Sequence, residues 1–264
     1  MTETGPVEDD HSETYVTAFS RGMAVIRCFS AANPVLTIAE VAKAAGLNRA
    51  TARRFLHTLE ADGYAGSENG RYSLRPRVLE LGYAYLSSIS VDRLVHRQLL
   101  QLADQLHESC SAGVLDGHDV VFVERAQTSH PRVMTLALHV GTRIPAYLTA
   151  LGRVLLAELP DDRLDEYLRT TELRKETENT VSDPAELRAQ ILGVRAKGYF
   201  IMDQEIELGI RAAAVPVRRR EGPSLAISVA SHASRHSLSY LEANFVPPLL
   251  ETAAGLEKLL NMRN

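Results

Sequence analysis

A pair of short helices joined by a tight turn is the pattern that most constrains this chain. It occupies residues 37–62, with the sequence TIAEVAKAAGLNRATARRFLHTLEAD. Thr37 and Glu40 have the spacing of a capping box at the start of the first helix. Gly46 stands where a left-handed residue ends that helix, and Asn48 is a suitable cap for the second. The pattern predicts a helix-turn-helix.

The second helix of this pair has two different faces. Its apolar residues recur at helical spacing and are expected to face the core; they are Ala52, Phe55, Leu56 and Leu59. The opposite face and its flanks suit a DNA major groove, because arginine pairs with guanine and small methyl groups pack on thymine. The residues expected at DNA are Asn48, Arg49, Ala50, Thr51, Arg53, Arg54 and His57. A helical hairpin with a solvated basic face is the alternative.

Roles within this set follow from side-chain chemistry. Arg53 and Arg54 are expected to supply the main base and phosphate contacts. Thr51 and Asn48 suit phosphate oxygens, since hydroxyl and amide groups commonly bind the DNA backbone. Arg49 suits either role.

The pattern of residues 64–74 is no longer that of a helix and is typical of strands. Asn69 and Gly70 form a favoured pair for a tight hairpin turn. A first helix is predicted over residues 20–29. The order of a helix, a helical pair and a basic-tipped hairpin predicts a winged helix-turn-helix. Arg71, at the tip, is expected to reach the DNA backbone or the minor groove.

The charge of the chain is unevenly distributed. The net charge of −4 divides into −5 over residues 1–14, +5 over residues 15–77 and −4 over residues 78–264. The basic excess therefore coincides with the helical pair, as expected where a protein contacts phosphates. Residues 1–14 have little to bury and are predicted to form a disordered acidic tail.

Composition excludes several classes of protein. With 45% hydrophobic and 23% charged residues, the chain resembles soluble globular proteins, and no apolar run reaches the length of a membrane span. The acidic, polar N-terminus is unlike a signal peptide. The only two cysteines, Cys28 and Cys110, are expected to be buried thiols rather than a disulfide or a metal framework. These features indicate a cytoplasmic protein without a membrane partner.

The rest of the chain alternates helical and strand-like runs, which predicts an α+β domain. Helices are expected over residues 92–109, 149–159, 161–168, 183–197 and 240–262. Strands are expected over residues 112–115, 120–125, 133–140, 199–202, 212–218 and 224–231, with residues 141–145 as a loop. The predicted division is a tail (1–14), a DNA-binding domain (15–75), a linker helix (76–90) with apolar faces suited to a partner, and a second domain (91–264).

Several of these segments resemble the IclR family of bacterial transcriptional regulators. SRGMAVIRCFS, TIAEVAKAAGL, TARRFLHTLEADGY and YSLRPRVLELG are similar to its DNA-binding half. HVGTRIPAYLTALGRVLLA and DQEIELGIRAAAVPVR are similar to its effector-binding domain, which has a GAF-like antiparallel sheet. The DQEIELGIR run and the RHS segment are most similar to regulators of the β-ketoadipate pathway, which respond to protocatechuate, 4-hydroxybenzoate or related acids.

The resemblance implies a homodimer or tetramer that binds palindromic double-stranded operator DNA and a small, aromatic carboxylic acid. A member of the family that senses a different small carboxylic acid is the alternative. By resemblance, the effector cavity is lined by Tyr147, Thr149, Ala150, Leu151, Met202, Ala212, Ser228 and Ala230. The apolar members of this set suit an aromatic acid.

The residues themselves support part of that site. Thr149 opens a predicted helix, whose free amides favour a carboxylate, and Tyr147 before it is placed to stack on a planar ring. The alternative makes Tyr147 a core residue and Thr149 an ordinary cap. Arg132 and Arg143 are candidate partners of the acid. Asp203, Glu205 and Arg211 are expected to form a structural charge cluster instead.

No catalytic constellation stands out. The nine histidines are scattered, and no metalloprotease motif, nucleophile elbow or phosphate-binding glycine loop is present. His232 and His236 have a spacing that a metal site on a helix requires, but small residues and arginine surround them. No metal and no cofactor are expected. The competing functions are a metabolic enzyme with a DNA-binding appendage and an architectural DNA-binding protein without a ligand.

Overall fold

A computed structural model describes residues 15–88, 93–127, 138–220, 222 and 224–262. The predicted acidic tail lies outside these residues. The chain forms two compact units, Met1–Ala84 and Tyr85–Asn264, and the boundary falls within the predicted linker helix. Within the described part, no helix has both the length and the apolar character needed to cross a membrane.

The first unit is a winged helix-turn-helix. Its helices are α1 (Thr17–Arg27), α2 (Ile38–Ala44) and α3 (Arg49–Ala61), and its strands are β1 (Val35–Thr37), β2 (Ala65–Glu68) and β3 (Arg71–Leu74). The strands form an antiparallel sheet in the order β1-β3-β2. The core contains Val25, Leu36, Val41, Ala42, Ala52, Leu56 and Tyr72. The predicted helix, helical pair and hairpin are confirmed.

Local capping and turn chemistry explain why these elements form. The capping box is present, since Glu40 N–H donates to Thr37 Oγ1 and the Thr37 amide donates to the Glu40 carboxylate at 2.7 Å. Asn48 Oδ1 accepts from the Thr51 amide at 2.8 Å. Asn69 and Gly70 have φ values of 50° and 74°, as a type I′ turn requires. These short-range interactions are the ones that the sequence made visible.

The linker begins with a 3₁₀ turn, Pro76–Val78, and continues as α4 (Leu79–Ser88). Large apolar residues on this helix are exposed, with 73% of the surface of Leu79 and 63% of that of Tyr83 accessible. An isolated soluble helix does not normally expose such residues together.

The second unit is built on a six-stranded antiparallel sheet in the order β6-β5-β4-β9-β8-β7. The strands are β4 (Ser109–Asp116), β5 (Asp119–Ala126), β6 (Arg143–Pro145), β7 (Phe200–Asp203), β8 (Ile210–Val217) and β9 (Leu225–His232). The helices are α5 (Arg93–Leu106), α6 (Ala150–Ala157), α7 (Asp161–Thr170), α8 (Pro184–Lys197), α9 (Leu238–Asn244) and α10 (Val246–Asn261). The α+β class is confirmed.

Two hydrophobic cores flank this sheet. Helices α5 and α10 pack on one face with residues such as Val114, Val215 and Ile227. Helices α6, α7 and α8 contribute to the other core, which includes Phe122 and Ala214. The sheet residues alternate between the two cores, as side chains on successive strand positions must.

The structure corrects three elements of the sequence prediction. The expected loop 141–145 contains strand β6, which pairs with β5 through Val120 and Ile144. The expected C-terminal helix is divided at Phe245 into α9 and α10, because Pro247 and Pro248 are tolerated only in the first turn of a new helix. Of the predicted strand 133–140, residues 133–137 lie outside the described residues and the remainder is not a strand.

A close backbone approach positions the start of α6. An added Cβ atom at Gly152 would lie 2.0 Å from the Ala146 carbonyl oxygen, a distance that no side chain can occupy. The Gly152 amide donates to Thr149 Oγ1 at 2.9 Å. Glycine at this position therefore allows the preceding turn to fold against the first turn of α6.

We expect Gly152→Ala to lower the free energy of unfolding by at least about 1–3 kcal/mol, because the backbone must shift to admit the methyl group. Gly193→Ala in α8 is the matched control, since no atom lies within 4 Å of its added Cβ. The free energy of unfolding of this control should rise by about 0.5–1 kcal/mol, because alanine has a higher helix propensity than glycine. Chemical denaturation measures both, and equal effects of the two variants would contradict this account.

Candidate DNA-binding surface and effector cavity

The outer face of α3 is open to solvent. Of the residues predicted to contact DNA, Thr51 is half-buried and the others are exposed. Those others are Asn48, Arg49, Ala50, Arg53, Arg54, His57 and Arg71. Ala52 and Leu56 on the opposite face are fully buried. The structure therefore brings Arg49, Arg53 and Arg54 onto one accessible face of α3 with the small side chain of Ala50 among them, whereas Arg71 lies on β3.

A chain of polar contacts connects α3 to the wing formed by β2 and β3. Arg53 Nε donates to His57 Nε2 at 3.3 Å, and His57 Nδ1 lies 3.6 Å from a Glu60 carboxylate oxygen. Glu60 accepts from the Ser67 amide at 3.1 Å and from its hydroxyl at 2.6 Å. These Ser67 bonds lower the pKa of Glu60. The sequence prediction did not identify Glu60 and Ser67, whose contact joins a helix to a later strand.

The other arginines near the wing differ in their roles. Arg71 opens β3 opposite Glu68, and its Nη2 lies 3.5 Å from the Val35 carbonyl. Arg77 Nη1 donates to the Asp62 carbonyl at 2.6 Å, at the end of α3, and its guanidinium lies 5.1 Å from the ring centre of Tyr64. Part of the basic excess in this unit therefore stabilises the fold.

A small cavity of about 50 Å³ lies between the start of α6 and one face of the large sheet. Its described lining contains seven of the eight residues predicted for the effector site: Thr149, Ala150, Leu151, Met202, Ala212, Ser228 and Ala230. The sequence prediction missed Ser111, Phe122, Leu138, Ile144, Ile206 and Ile210. Residues on all six strands of this sheet, at the start of α6 and in two loops converge here, which explains why local patterns did not reveal them all.

Polar groups in this cavity are few. Ser111 on β4 lies directly opposite Ser228 on β9, and both residues are buried. Thr149 caps α6, whose first-turn amides, including those of Ala150 and Leu151, have no partner within the helix. The described lining includes no ionisable side chain. An anion in this space would be stabilised by amide and hydroxyl donors rather than by an ion pair.

Tyr147 is not among the described residues that line this cavity. Its hydroxyl donates to the Arg174 carbonyl at 2.9 Å and accepts from the Arg174 amide at 2.8 Å. Its own amide donates to the Tyr167 hydroxyl at 3.1 Å. Burial raises the pKa of Tyr147, and it raises that of Tyr167 to about 12. Tyr147 is a core residue that anchors the segment around Arg174.

The proposed ion partners of an acid also lie elsewhere. Arg143 contacts Asp116 at 2.6 Å and Asp119 at 3.1 Å, and it is not among the described lining residues. Arg132 lies outside the described residues. Arg211 pairs with Asp203 at 2.6 Å, whereas Glu205 belongs to a different ion pair. The expected cluster of Asp203, Glu205 and Arg211 is therefore divided in two.

Arg153 is a fully buried cation that the sequence prediction did not identify. Its Nη2 lies 2.6 Å from Glu205, its Nη1 donates to Gln190 Oε1 at 2.5 Å, and its Nε donates to the Tyr147 carbonyl at 2.5 Å. The guanidinium lies 5.0 Å from the ring centre of Phe200. Burial raises the pKa of Glu205, and the charge of Arg153 opposes that shift. The sequence does contain a signal for this buried cation, because Arg153 is the one charged residue in the otherwise apolar run ALGRVLLA.

The two histidines considered for a metal have other contacts. His232 Nδ1 lies 2.7 Å from the Ser234 hydroxyl. His236 stacks on Tyr240 with ring centres 4.4 Å apart, and its Nε2 lies 3.4 Å from Glu108. Among the described residues, no group of three or more potential ligands could hold a metal ion.

Comparisons with known proteins match both units. Residues 18–68 match the IclR helix-turn-helix domain, and residues 83–258 match the bacterial transcriptional regulator IclR C-terminal domain. The Pca regulon regulatory protein of Pseudomonas putida is 42% identical over 92% of this chain and 83% of its own. A putative transcriptional regulator from Rhodococcus sp. RHA1 superposes with a TM-score of 0.85 at 46% identity, covering 95% of this chain and all of the other.

A third similarity concerns the second unit. A double mutant of the PobR transcription factor inducer binding domain from Acinetobacter, in complex with 3-hydroxybenzoic acid, has a TM-score of 0.60 and 31% identity. The match covers 63% of this chain and 97% of that domain.

Tyr147→Phe tests the role of the Tyr147 hydroxyl. We expect a loss of about 1 kcal/mol in the free energy of unfolding, because the hydroxyl bonds to Arg174 disappear. We expect no change in the affinity for any ligand of the cavity. Thermal denaturation and calorimetric titration measure the two effects. Unchanged stability together with weaker ligand binding would show that the hydroxyl contacts the ligand rather than Arg174.

Proposed function

The chain belongs to the IclR family of bacterial transcriptional regulators, and we propose that it binds palindromic operator DNA through α3 and senses a small aromatic carboxylic acid. DNA binding is assigned to residues 15–75, the linker to residues 76–90 and effector binding to residues 91–264. The observation that carries the proposal is the exposed, arginine-bearing face of α3, opposite a buried apolar stripe.

The DNA contacts proposed for this face follow from its chemistry. Arg53 and Arg54 project from the exposed side of α3 and read bases or bind phosphates, and Arg49 is placed for either role. Asn48 and Thr51, at the start of the helix, suit a phosphate near the free amides. Arg71 acts from the wing. Ala50 allows close approach to a thymine methyl group, and His57 lies beside Arg53.

A palindrome requires two copies of α3, so the protein acts as a homodimer or a tetramer. Exposed apolar residues of the first unit support this. A groove of about 420 Å³ is lined by Phe19, Met23, Phe55 and Leu81, among others, and 71% of the Phe19 side chain is accessible. Contiguous apolar surface of this kind indicates a protein interface. Two-fold symmetry places the half-sites about one helical turn apart, or a multiple of that.

The cavity in the second unit is the proposed effector site. Its walls are apolar, and its hydroxyl groups and helix-start amides are donors for a carboxylate. The volume of about 50 Å³ is small, so an aromatic ring must displace flexible lining such as Met202. A related inducer binding domain holds 3-hydroxybenzoic acid, and a relative is named for the Pca regulon. A strongly polar acid would find few partners among the described lining residues.

Binding rather than turnover fits this cavity. Its described lining holds no ionisable side chain that could exchange protons with a substrate. The relatives are transcriptional regulators. Ligand binding can regulate only if it favours one arrangement of the two recognition helices over another, and we assign that change to the linker helix α4.

For the DNA surface, we expect Arg54→Ala to weaken operator binding by about 1–3 kcal/mol and to relax base preference at one position. The operator is a duplex selected by the wild-type protein from random sequences. Arg169→Ala, which removes an exposed arginine from α7, is the control and should bind as wild type does. Gel-shift titrations measure both, and equal affinities and base preferences for the two variants would exclude Arg54 from base recognition.

For the cavity, we expect 4-hydroxybenzoate and protocatechuate to raise the melting temperature. A ligand at a hundred times its Kd stabilises the folded state by about 2.7 kcal/mol. Ser228→Ala should weaken binding by about 1 kcal/mol, because one hydroxyl donor is lost. Ser224→Ala, just before β9 and outside the described lining, should have no effect. Absence of a thermal shift with both acids would contradict the assigned ligand class.

A further inference from the structure

Two walls of the cavity are joined by a buried ion pair that itself lies outside the described lining. One wall is the start of α6, which contributes Ala150 and Leu151. The other includes Ile206, in the loop 204–209 between β7 and β8. Arg153 extends from α6 to Glu205, the residue before Ile206, and 1% and 7% of the two side chains are accessible. We propose that Arg153 is a positioning residue that sets the shape of the effector cavity by holding loop 204–209 against α6.

Arg153 connects three separate parts of the chain. Its three guanidinium nitrogens bind three different partners: the Tyr147 carbonyl before α6, Gln190 on α8 and Glu205 on the loop. A planar guanidinium fixes several acceptors at once in a way that an ammonium group cannot. The position of Glu205 is therefore defined relative to both helices.

The loop needs such an anchor because its backbone is irregular. Gln204 and Gly209 have φ values of 59° and 88°. The Thr180 hydroxyl donates to the Glu205 carbonyl at 2.6 Å, which holds the backbone of the loop. The side chain of Glu205 provides the ion pair that joins this loop to α6. If that contact were lost, Ile206 could move while β7 and β8 stayed paired, and the cavity would lose its defined shape.

Removal of one partner cannot test this idea cleanly. A buried charge left without its counter-ion destabilises the whole fold, whereas apolar replacement of both partners is often neutral. The double variant Arg153→Met/Glu205→Met therefore separates positioning from stability. The matched control is Arg188→Met/Asp165→Met, which removes an exposed ion pair of 2.8 Å between α8 and α7.

The inference rests on the proposed function for its ligand, and three measurements on the full chain test it. The double variant should melt close to wild type and bind operator DNA without ligand within about twofold of wild type, since the DNA-binding unit is untouched. Its affinity for 4-hydroxybenzoate, measured by calorimetry, should fall about tenfold or more, as when residues that orient ligand-contacting groups are removed. Hydrogen exchange at the amides of residues 204–209 should be faster. The control should match wild type in all three.

Wild-type 4-hydroxybenzoate affinity or unchanged loop exchange in a folded double variant would overturn the inference. If the wild-type protein itself binds no 4-hydroxybenzoate, the effector assignment fails, and the exchange measurement still decides whether Arg153 holds the loop. If the double variant does not fold, Arg153→Lys takes its place, because it retains a cation opposite Glu205 but not the planar guanidinium that binds three partners. It should show weaker binding and faster loop exchange in the same assays, and wild-type values would overturn the inference.

Discussion

The narrow buried stripe of α3 is the constraint on which the DNA-binding unit depends. Ala52 and Leu56 hold the helix in the core, and the turns at its two ends fix its direction. Because only one side of the helix is buried, Arg53 and Arg54 remain available to a duplex without any loss of packing. The same helix is therefore both a structural element and the proposed DNA-reading surface. The wing is attached to it by the contact between Glu60 and Ser67.

In the second unit, the start of α6 has the corresponding importance. Gly152 leaves room for the turn that precedes the helix, and Thr149 caps the helix. Arg153 donates to the Tyr147 carbonyl in that turn. These contacts set the first turn of α6 against the sheet, where its residues line a small apolar cavity. Recognition of a carboxylate by such a site depends on fixed donors, and fixed donors depend on the buried polar contacts behind them.

Local chemistry made much of the fold predictable, and long-range contacts account for what was missed. The caps at Thr37 and Asn48 and the turn at Asn69 act over three or four residues, so they are readable in sequence. Strands β1 and β6 have three residues each, which is too short to show the alternation of apolar and polar residues typical of a strand. Most of the cavity lining was named from family resemblance. The orientation of Tyr147 depends on Arg174, and the burial of Arg153 depends on Glu205; neither partner is near in sequence.

Contact between the basic face of α3 and phosphates is the central claim, and the salt dependence of operator affinity tests it most directly. Each neutralised phosphate contributes a slope of about −0.9 to a plot of log affinity against log salt concentration. For an operator selected from random duplexes, we predict a linear decrease whose slope corresponds to several phosphates. Replacement of Arg53 and Arg54 together should make that slope shallower. An affinity independent of salt, or a slope unchanged by the replacement, would contradict the account.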